Sequence, residues 1–480
     1  MTDPRSRWLA LYVLCTGMLM IVLDMTVVNV ALPSIQDELG FSPSGLAWVI
    51  NAYLIAFGGL LLLAGRLGDL FGQRRIFLTG LVVFTAASVA CGAAVNPAML
   101  VVARFVQGGG GALTSAVILG LIVTMFPEPR EQAKAIGVYA FVASAGGAVG
   151  LLAGGALTEW VNWHWIFFVN VPIGVVTLVA ALRLLPAATG AGSQAGADVL
   201  GAGLVTAALM LGVYTIVVPA AEDGWQATRT LVCGAVAIGL LAGFVVREAT
   251  ATLPLMPLRI LRSSTVAGAN IVQVVGAGGM FGSFFLGSLY LEHVQGYSPL
   301  EIGLAFLPVT LLMGTLSVRY SERLVTRFGA QRVLVPGLVL IGAGLAGLAI
   351  APVDARYLTD VLPAAALLGV GAGLCFPPIM ALAMTGVAPG DAGLASGLIN
   401  TTGQVGGAIG LAVLSTVSTR RTDTLLASGH GVRDSLTGGY HAAFWIAVAL
   451  IVVALVTALT TLRPGREAAA PVETPVAVAA

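Results

Sequence analysis

The chain has 480 residues, of which 58% are hydrophobic and only 9% are charged, and its formal net charge is +1. A soluble domain has about 25% charged residues, so the composition excludes a soluble enzyme and a protein with a basic surface for nucleic acid. It predicts an integral membrane protein.

Fourteen long apolar stretches follow one another along the chain. A helix needs about 20 predominantly apolar residues to cross the hydrocarbon core of a bilayer. No alternation of the barrel type is present, and backbone groups in lipid must be bonded within the segment, so the stretches predict helices and an all-α fold. The predicted spans are 9–33, 45–64, 76–95, 98–126, 135–158, 164–185, 199–219, 230–246, 264–291, 301–319, 333–351, 358–384, 392–417 and 441–462.

Most of the 23 basic residues fall in alternate loops, on the side that also carries Arg5 and Arg7. By the positive-inside rule, this bias predicts that both termini are cytoplasmic. The predicted loop 419–440 departs from the trend, because it is the longest outer loop and carries Arg420, Arg421 and Arg433.

Span one contains Asp24, the only carboxylate that the sequence places deep within a span. An acid near the centre of a helix costs about 2.5–3.5 kcal/mol on insertion scales, so it should face a cavity or a partner. The functional interpretation is a group that carries protons. The alternative is a structural acid that only makes hydrogen bonds.

The loop between spans two and three contains Gly65, Asp69, Gly72, Arg74 and Arg75. Gly72 permits a tight turn, and Asp69 can pair with a cation or with a helix N-terminus. The alternative for Asp69 is a solvated loop acid.

Span four contains Arg104, with Gln107, Gly108 and Gly111 on the same helical face. From the helical rise, Asp24 is about 13 Å and Arg104 about 9 Å from the outer ends of their spans. The two side chains are therefore predicted to be able to pair. The alternative for Arg104 is a side chain that reaches the outer interface.

Span five carries Gly146, Gly150 and Gly154 at every fourth position, followed by Gly155. This spacing clears a groove along one helix face and allows another backbone to approach closely. Ordinary helix packing is the alternative to a transport role.

A segment of the first half recurs in the second. The pattern R-L-x-x-x-F-G-x-x-R begins at Arg66 and again at Arg323, both times on the predicted cytoplasmic side. Recurrence on the same side predicts parallel repeats. The displacement of eight spans predicts a six-helix repeat and two inserted helices. The predicted organisation is 1–186 for the N-terminal six-helix bundle, 187–262 for the linker and inserted helices, 263–463 for the C-terminal bundle and 464–480 for a disordered tail.

This 6 + 2 + 6 arrangement resembles the fourteen-helix drug:proton antiporter branch of the major facilitator superfamily, over nearly the whole chain. The segments that carry the resemblance are the stretch around Asp24, the loop from Gly65 to Arg75, the stretch around Arg104, the glycines of span five, and the segments 163–174 and 254–259. Span five departs from the exporter motif at Leu151, where the family has proline.

The resemblance implies proton-coupled efflux of drugs or of hydrophobic or cationic small molecules by alternating access. Asp24 and Arg104 would couple protons, Gly65, Asp69, Gly72, Arg74 and Arg75 would form a cytoplasmic gate, and Gly146, Gly150, Gly154 and Gly155 would form the exporter helix motif. Other polar residues of the spans are predicted to line the substrate cavity, because they should not face lipid. They are Asn29, Asn51, Tyr53, Gln107, Gln273, Asn400 and Gln404. Glu292 is either a second coupling acid or a loop residue.

The sequence has no P-loop, no HExxH site and no Ser/His/Asp grouping outside the spans, which favours a transporter over an enzyme. We expect no cofactor and no metal. The expected partners are a small-molecule substrate, protons and membrane lipid, without nucleic acid, for a monomer in a bacterial plasma membrane. One alternative is a proton symporter or facilitator for a small metabolite. Another is a membrane sensor or assembly protein with a transporter-like body, which would show no substrate flux.

Overall fold

The computed structural model describes residues 4–42, 45–126, 128–185, 198–251, 254–255, 258–385 and 392–462. Within this part the chain is helical and contains no strand. Residues 186–197, which include the beginning of the predicted linker, and the predicted tail 464–480 lie outside the described residues. The helices of fifteen residues or more, in chain order, are α1 (Pro4–Leu39), α2 (Trp48–Phe71), α3 (Gln73–Gly92), α4 (Pro97–Met125), α5 (Pro129–Trp160), α6 (Asn170–Leu184), α7 (Val199–Val217), α8 (Thr228–Thr250), α9 (Ser264–His293), α10 (Pro299–Thr315), α11 (Ala330–Ala349), α12 (Leu362–Ala383), α13 (Ala392–Ala427) and α14 (Val432–Thr461).

Twelve helices in the described part are long and apolar enough to cross a membrane. The other two predicted spans coincide with α5 and α10. Helix α10 has 17 residues and is continued by a π-helical turn over Leu316–Tyr320 and a helix over Ser321–Phe328. The prediction of a helical membrane protein is confirmed.

The two copies of the repeated segment form the same turn. Gly72 separates α2 from α3 with a φ of 94°, and Gly329 precedes α11 with a φ of 87°. These left-handed conformations favour glycine, which lacks the Cβ that other residues would strain. The glycine shared by the two copies therefore has a structural cause.

Both turns lie at the same end of the helix bundle. Near that end α2 packs at Leu62 against Gly397, close to the beginning of α13. In the first part of both helices, Gly403 of α13 packs against Gln273 of α9. At the beginning of α9, Gly268 packs against Thr461 at the end of α14. Gln331, two residues after Gly329, donates to the carbonyl of Ala458 in that part of α14 (3.0 Å). The chain direction thus repeats in parallel.

Helices α7 and α8 pack against each other, and α7 also contacts α2 and α13. The side chain of Thr206 on α7 fills the space that a Cβ of Gly59 would occupy. The hydroxyl of Thr416 on α13 donates to the carbonyl of Ile216 on α7 (3.3 Å). Helix α7 therefore bridges the first and second parts of the chain.

The prediction of a long outer loop over residues 419–440 is wrong. Helix α13 continues to Ala427, α14 begins at Val432, and only four residues separate the two helices. A helix of 36 residues is about 54 Å long and exceeds the thickness of the hydrocarbon core, so its charged end extends beyond the apolar segment. Arg433 is held there by the carbonyl of Val294 (2.7 Å).

Candidate functional site: a buried ion pair between α1 and α4

The centre of the first six helices contains a fully buried ion pair. Asp24 on α1 is 0% exposed and Arg104 on α4 is 1% exposed. The guanidinium Nη1 of Arg104 lies 2.6 Å from Oδ2 of Asp24. The sequence-based prediction that these two side chains can pair agrees with this geometry.

Two amides complete the coordination of the carboxylate. Gln107 on α4 donates from Nε2 to Oδ1 of Asp24 (2.7 Å), and Asn170 at the beginning of α6 donates from Nδ2 to the same oxygen (3.0 Å). Gln107 also accepts from Arg104 through Oε1 (2.7 Å) and donates to the hydroxyl of Ser88 on α3 (2.8 Å). The carboxylate therefore receives three N–H donors from two helices other than its own.

The guanidinium of Arg104 is fixed from a further direction. Its Nε donates to the carbonyl of Val49 on α2 (2.9 Å), and its Cζ lies 4.4 Å from the ring centroid of Tyr53 and 5.7 Å from that of Phe167. A cation over an aromatic face away from water gains about 2 kcal/mol. The close packing of α4 against α2 that brings Tyr53 to Arg104 depends on Gly108, because a Cβ there would overlap the carbonyl of Tyr53.

Removing one member of a buried ion pair commonly costs about 3–5 kcal/mol, because the remaining charge has no partner and no water. This buried site is therefore destabilised when only one of the two charges, that of Asp24 or that of Arg104, is present. A proton that reaches Asp24 removes one of them. The arrangement can therefore convert protonation into a change in the packing of α1 against α4.

The polar residues predicted for the cavity lie in different places. Asn29 donates to the carbonyl of Met25 on its own helix (2.9 Å). Asn51 on α2 is 0% exposed, and neither of its side-chain amide atoms has a hydrogen-bond partner among the described residues. The hydroxyl of Tyr53 is likewise buried without a described partner, although its ring contacts Arg104.

The remaining predicted cavity residues belong to the second half. Gln404 on α13 packs against Gly58 of α2, where the two halves of the chain meet. Gln273 on α9 packs against Gly403, and Asn400 is exposed. Gln107 and Tyr53 are therefore the only predicted cavity residues that the described structure brings to the ion pair.

The predicted gate residues surround the turn at Gly72. Arg74 donates to the carbonyl of Leu182 at the end of α6 (2.6 Å), Arg75 is exposed, and Gly65 has open space where a Cβ would stand. The side chain of Asp69 lies outside the described residues. A gate role stays a prediction.

The glycines of α5 face two neighbours. Gly146, Gly150 and Gly154 pack against α1, and a Cβ at Gly154 would stand 2.9 Å from the carbonyl oxygen of Val27. Gly155 packs against the beginning of α10, in the second half, with 2.7 Å from its Cβ position to Cα of Leu300. The glycine spacing thus allows α5 to contact both halves.

Leu151 takes part in the same contact. Its carbonyl oxygen lies 2.6 Å from the position of a Cβ on Gly303 of α10. The residue that departs from the family motif is therefore at the interface between the halves. Glu292 lies at the end of α9, and its Oε2 is buried without a described partner.

Sequence reasoning missed Asn170 and Ser88. Both are uncharged, and both are 0% exposed. The argument that polar groups in a span should not face lipid applies to Asn170 as well, and it could have included this residue. Its contact with Asp24 could not be foreseen, because it depends on where α6 begins.

The comparisons with known proteins agree with this fold. Residues 14–411 match the family model described as Major Facilitator Superfamily. The chain belongs to the Major Facilitator Superfamily.

Two relatives that the chain matches over almost their whole length are a resistance protein and an export protein. The chain is 40% identical to the puromycin resistance protein pur8 of Streptomyces alboniger, over 97% of this chain and 93% of that protein. It is 38% identical to the cephamycin export protein CmcT of Amycolatopsis lactamdurans, over 95% of this chain and 94% of that protein. Similarity over almost the whole length of both proteins shows that the chain is a transporter of this superfamily.

The fold also matches that of solved transporters. A bacterial homologue of the human lysosomal transporter Spinster, in an inward-facing and unoccupied conformation, superposes with a TM-score of 0.69 at 17% identity. The match covers 96% of this chain and 98% of that one. This structural similarity supports the assignment of the chain to the fold of the superfamily.

Proposed function

We propose that this protein exports drugs or other hydrophobic or cationic small molecules in exchange for protons. The observation that carries the proposal is the ion pair of Asp24 and Arg104, which is buried in the first half of a transporter and fixed by neutral amides. An ionisable residue inside a membrane protein marks a functional site by default, and carrying protons is one of the roles that such acids have. The names of the relatives, which describe puromycin resistance and cephamycin export, support a drug-like substrate.

The proposed architecture has fourteen membrane spans, arranged 6 + 2 + 6. Residues 1–186 and 263–463 are the two six-helix bundles, and α7 and α8 are the inserted pair. The parallel repeat of the turns at Gly72 and Gly329 supports this division. Both termini are cytoplasmic in this proposal, and the monomer lies in the plasma membrane.

The contacts between the bundles support the proposal of alternating access. The bundles meet where α5 packs against α10 and where α2 packs against α13. The hydroxyl of Ser288 on α9 also donates to the carbonyl of Asn29 on α1 (2.7 Å). Rocking of one bundle against the other would break these contacts at one end and expose a cavity between the halves, with Asn51 and Gln404 at its wall.

Purified protein in liposomes provides the test. With a panel of dyes and antibiotics, we expect export to depend on an imposed pH gradient. Asp24→Asn keeps the size of the side chain and removes its charge, so gradient-driven export should fall to the level of empty liposomes.

The matched control is Asp223→Asn, which removes a carboxylate of the α7–α8 loop that pairs with Arg229 at the surface. This variant should export normally. Gradient-driven export by a well-folded Asp24→Asn protein at the wild-type rate would contradict antiport through Asp24 and favour a facilitator.

A further inference from the structure

The two amides that bind Asp24 differ in how firmly they are held. Gln107 uses both ends of its amide, because Oε1 accepts from Arg104 and Nε2 donates to Asp24 and to Ser88. The orientation of the Gln107 amide is therefore determined by several partners.

Within the described part of the chain, Asn170 has a single side-chain hydrogen bond, from Nδ2 to Oδ1 of Asp24 (3.0 Å). Its own Oδ1 is buried and has no partner among the described residues. A half-turn of this amide about its last side-chain bond would exchange the two ends. It would break no hydrogen bond other than the one to Asp24.

Protonation of Asp24 creates an O–H group that needs an acceptor. All three groups that bind the carboxylate present N–H donors to it, from Arg104, Gln107 and Asn170. Rotation of Gln107 would break its bonds to Arg104 and Ser88. The Oδ1 of Asn170 is the acceptor that can turn toward the acid without such a loss.

We infer that Asn170 is the positioning residue for the proton on Asp24. Its amide donates to the carboxylate in the deprotonated state and turns to accept from the acid in the protonated state. The inference rests on the proposed proton coupling, and it assigns the acceptor that this coupling needs. It also places the response on α6, a helix that no predicted coupling residue occupies.

The surroundings of Asp24 contain few other groups that could take this role. The titratable or charged side chains that face it within the described residues are Arg104 on α4, Tyr53 on α2 and Cys91 on α3. Arg104 only donates, and Cys91 lies against Oε1 of Gln107 (3.5 Å). The hydroxyl of Tyr53 lies beside Gly111, one turn further along α4 than Gln107.

The pH dependence of export distinguishes an acceptor from a mere donor. In Asn170→Leu the carboxylate keeps the donors on Arg104 and Gln107, whereas the protonated acid loses its acceptor. Protonation of Asp24 is then disfavoured. A buried O–H group without an acceptor costs more free energy than the loss of one of the three donors to the carboxylate. We expect half-maximal export to need a proton concentration about tenfold higher, so the pH at the midpoint of export should fall by about one unit.

Each control variant changes one feature of Asn170 or of its helix. Asn170→Ala removes the same groups without added volume, and it should shift the midpoint in the same direction. Asn170→Thr keeps a hydroxyl that can donate or accept, and it should restore most of the wild-type midpoint. Thr177→Val changes a buried residue of the same helix whose hydroxyl donates to the carbonyl of Ile173 (2.6 Å), and its midpoint should stay unchanged.

The experiment separates this inference from the proposed function. An upward shift in Asn170→Leu and Asn170→Ala would show that Asn170 acts only as a donor, and an unchanged midpoint would show a structural role; either result overturns the inference. The Asp24→Asn protein is measured in parallel. Gradient-driven export by that variant would overturn the proton coupling itself, whatever the Asn170 variants do.

Discussion

Arg104 donates to groups on three helices, which are Asp24 on α1, Val49 on α2 and Gln107 on its own helix. A planar guanidinium can direct several N–H groups at fixed angles, whereas an ammonium is a compact charge on a flexible chain. The residue type thus matters here beyond its charge, because three helices are oriented by one side chain.

We expect Arg104→Lys to keep the ion pair and lose the bond to the Val49 carbonyl. Each buried polar group left without a partner costs about 1–3 kcal/mol, so the thermal unfolding temperature in detergent should fall. Arg104→Ala should lower it further, because it leaves the Asp24 carboxylate buried without its cation.

The double variant Asp24→Asn with Arg104→Gln serves as the control, since it removes both charges together and retains polar side chains. It should unfold at a higher temperature than Arg104→Ala alone. A double variant that is the least stable of the series would contradict the view that an unpaired charge is the damaging element.

At the scale of helices, α5 connects the ion-pair bundle to the second half of the chain. One glycine face contacts α1, the helix of Asp24, and the other contacts α10. Small residues let helix backbones approach in a membrane, where no difference in apolarity draws helices together. Helix α5 is therefore in direct contact with both α1 and α10.

Gly154→Leu should test this contact, because any Cβ at Gly154 would press on the backbone of Val27. Overpacking of this kind costs about 1–3 kcal/mol, so both the unfolding temperature and the rate of export should fall. Gly203→Leu is the matched control, since Gly203 on α7 has nothing within 4 Å of its Cβ position. Equal behaviour of the two leucine variants would argue against a close α1–α5 contact.

At the scale of the whole molecule, the parallel repeat determines which ends of the helices lie together. The turn at Gly72 and the turn at Gly329 are at the same end, and the α3–α4 loop with Val95 is at the opposite end of α3. Three arginines lie within six residues of each glycine turn. By the positive-inside rule these turns should be cytoplasmic.

Single cysteines at Arg75 and Arg327, both exposed beside the glycine turns, should react with a membrane-impermeant maleimide only from the cytoplasmic side. Val95→Cys, at a position that is 80% exposed, is the counterpart and should react only from outside. The background protein would lack the native cysteines. Labelling of the Arg75 and Arg327 positions from opposite sides would contradict the parallel repeat.

The sequence by itself determined the class of fold and the central pair of charges. Long apolar segments in lipid have to be helices, because each backbone group must find its partner within the segment. An isolated acid and an isolated arginine at similar depth have to face the interior, which is why Asp24 and Arg104 could be paired from spacing alone. The glycine turns were also predictable, since a positive φ selects glycine.

Only the tertiary structure decided which neutral groups surround the charges. Asn170 and Ser88 carry no charge, and an uncharged amide or hydroxyl can be satisfied by many partners, so its position along the sequence does not say which one it has. The same holds for the two-sided contact of α7 with α2 and α13, which depends on how the halves are placed. The charge and apolarity of a side chain can be read from the sequence whatever its neighbours are. A hydrogen bond depends on distances of a few tenths of an ångström between helices that are far apart in sequence.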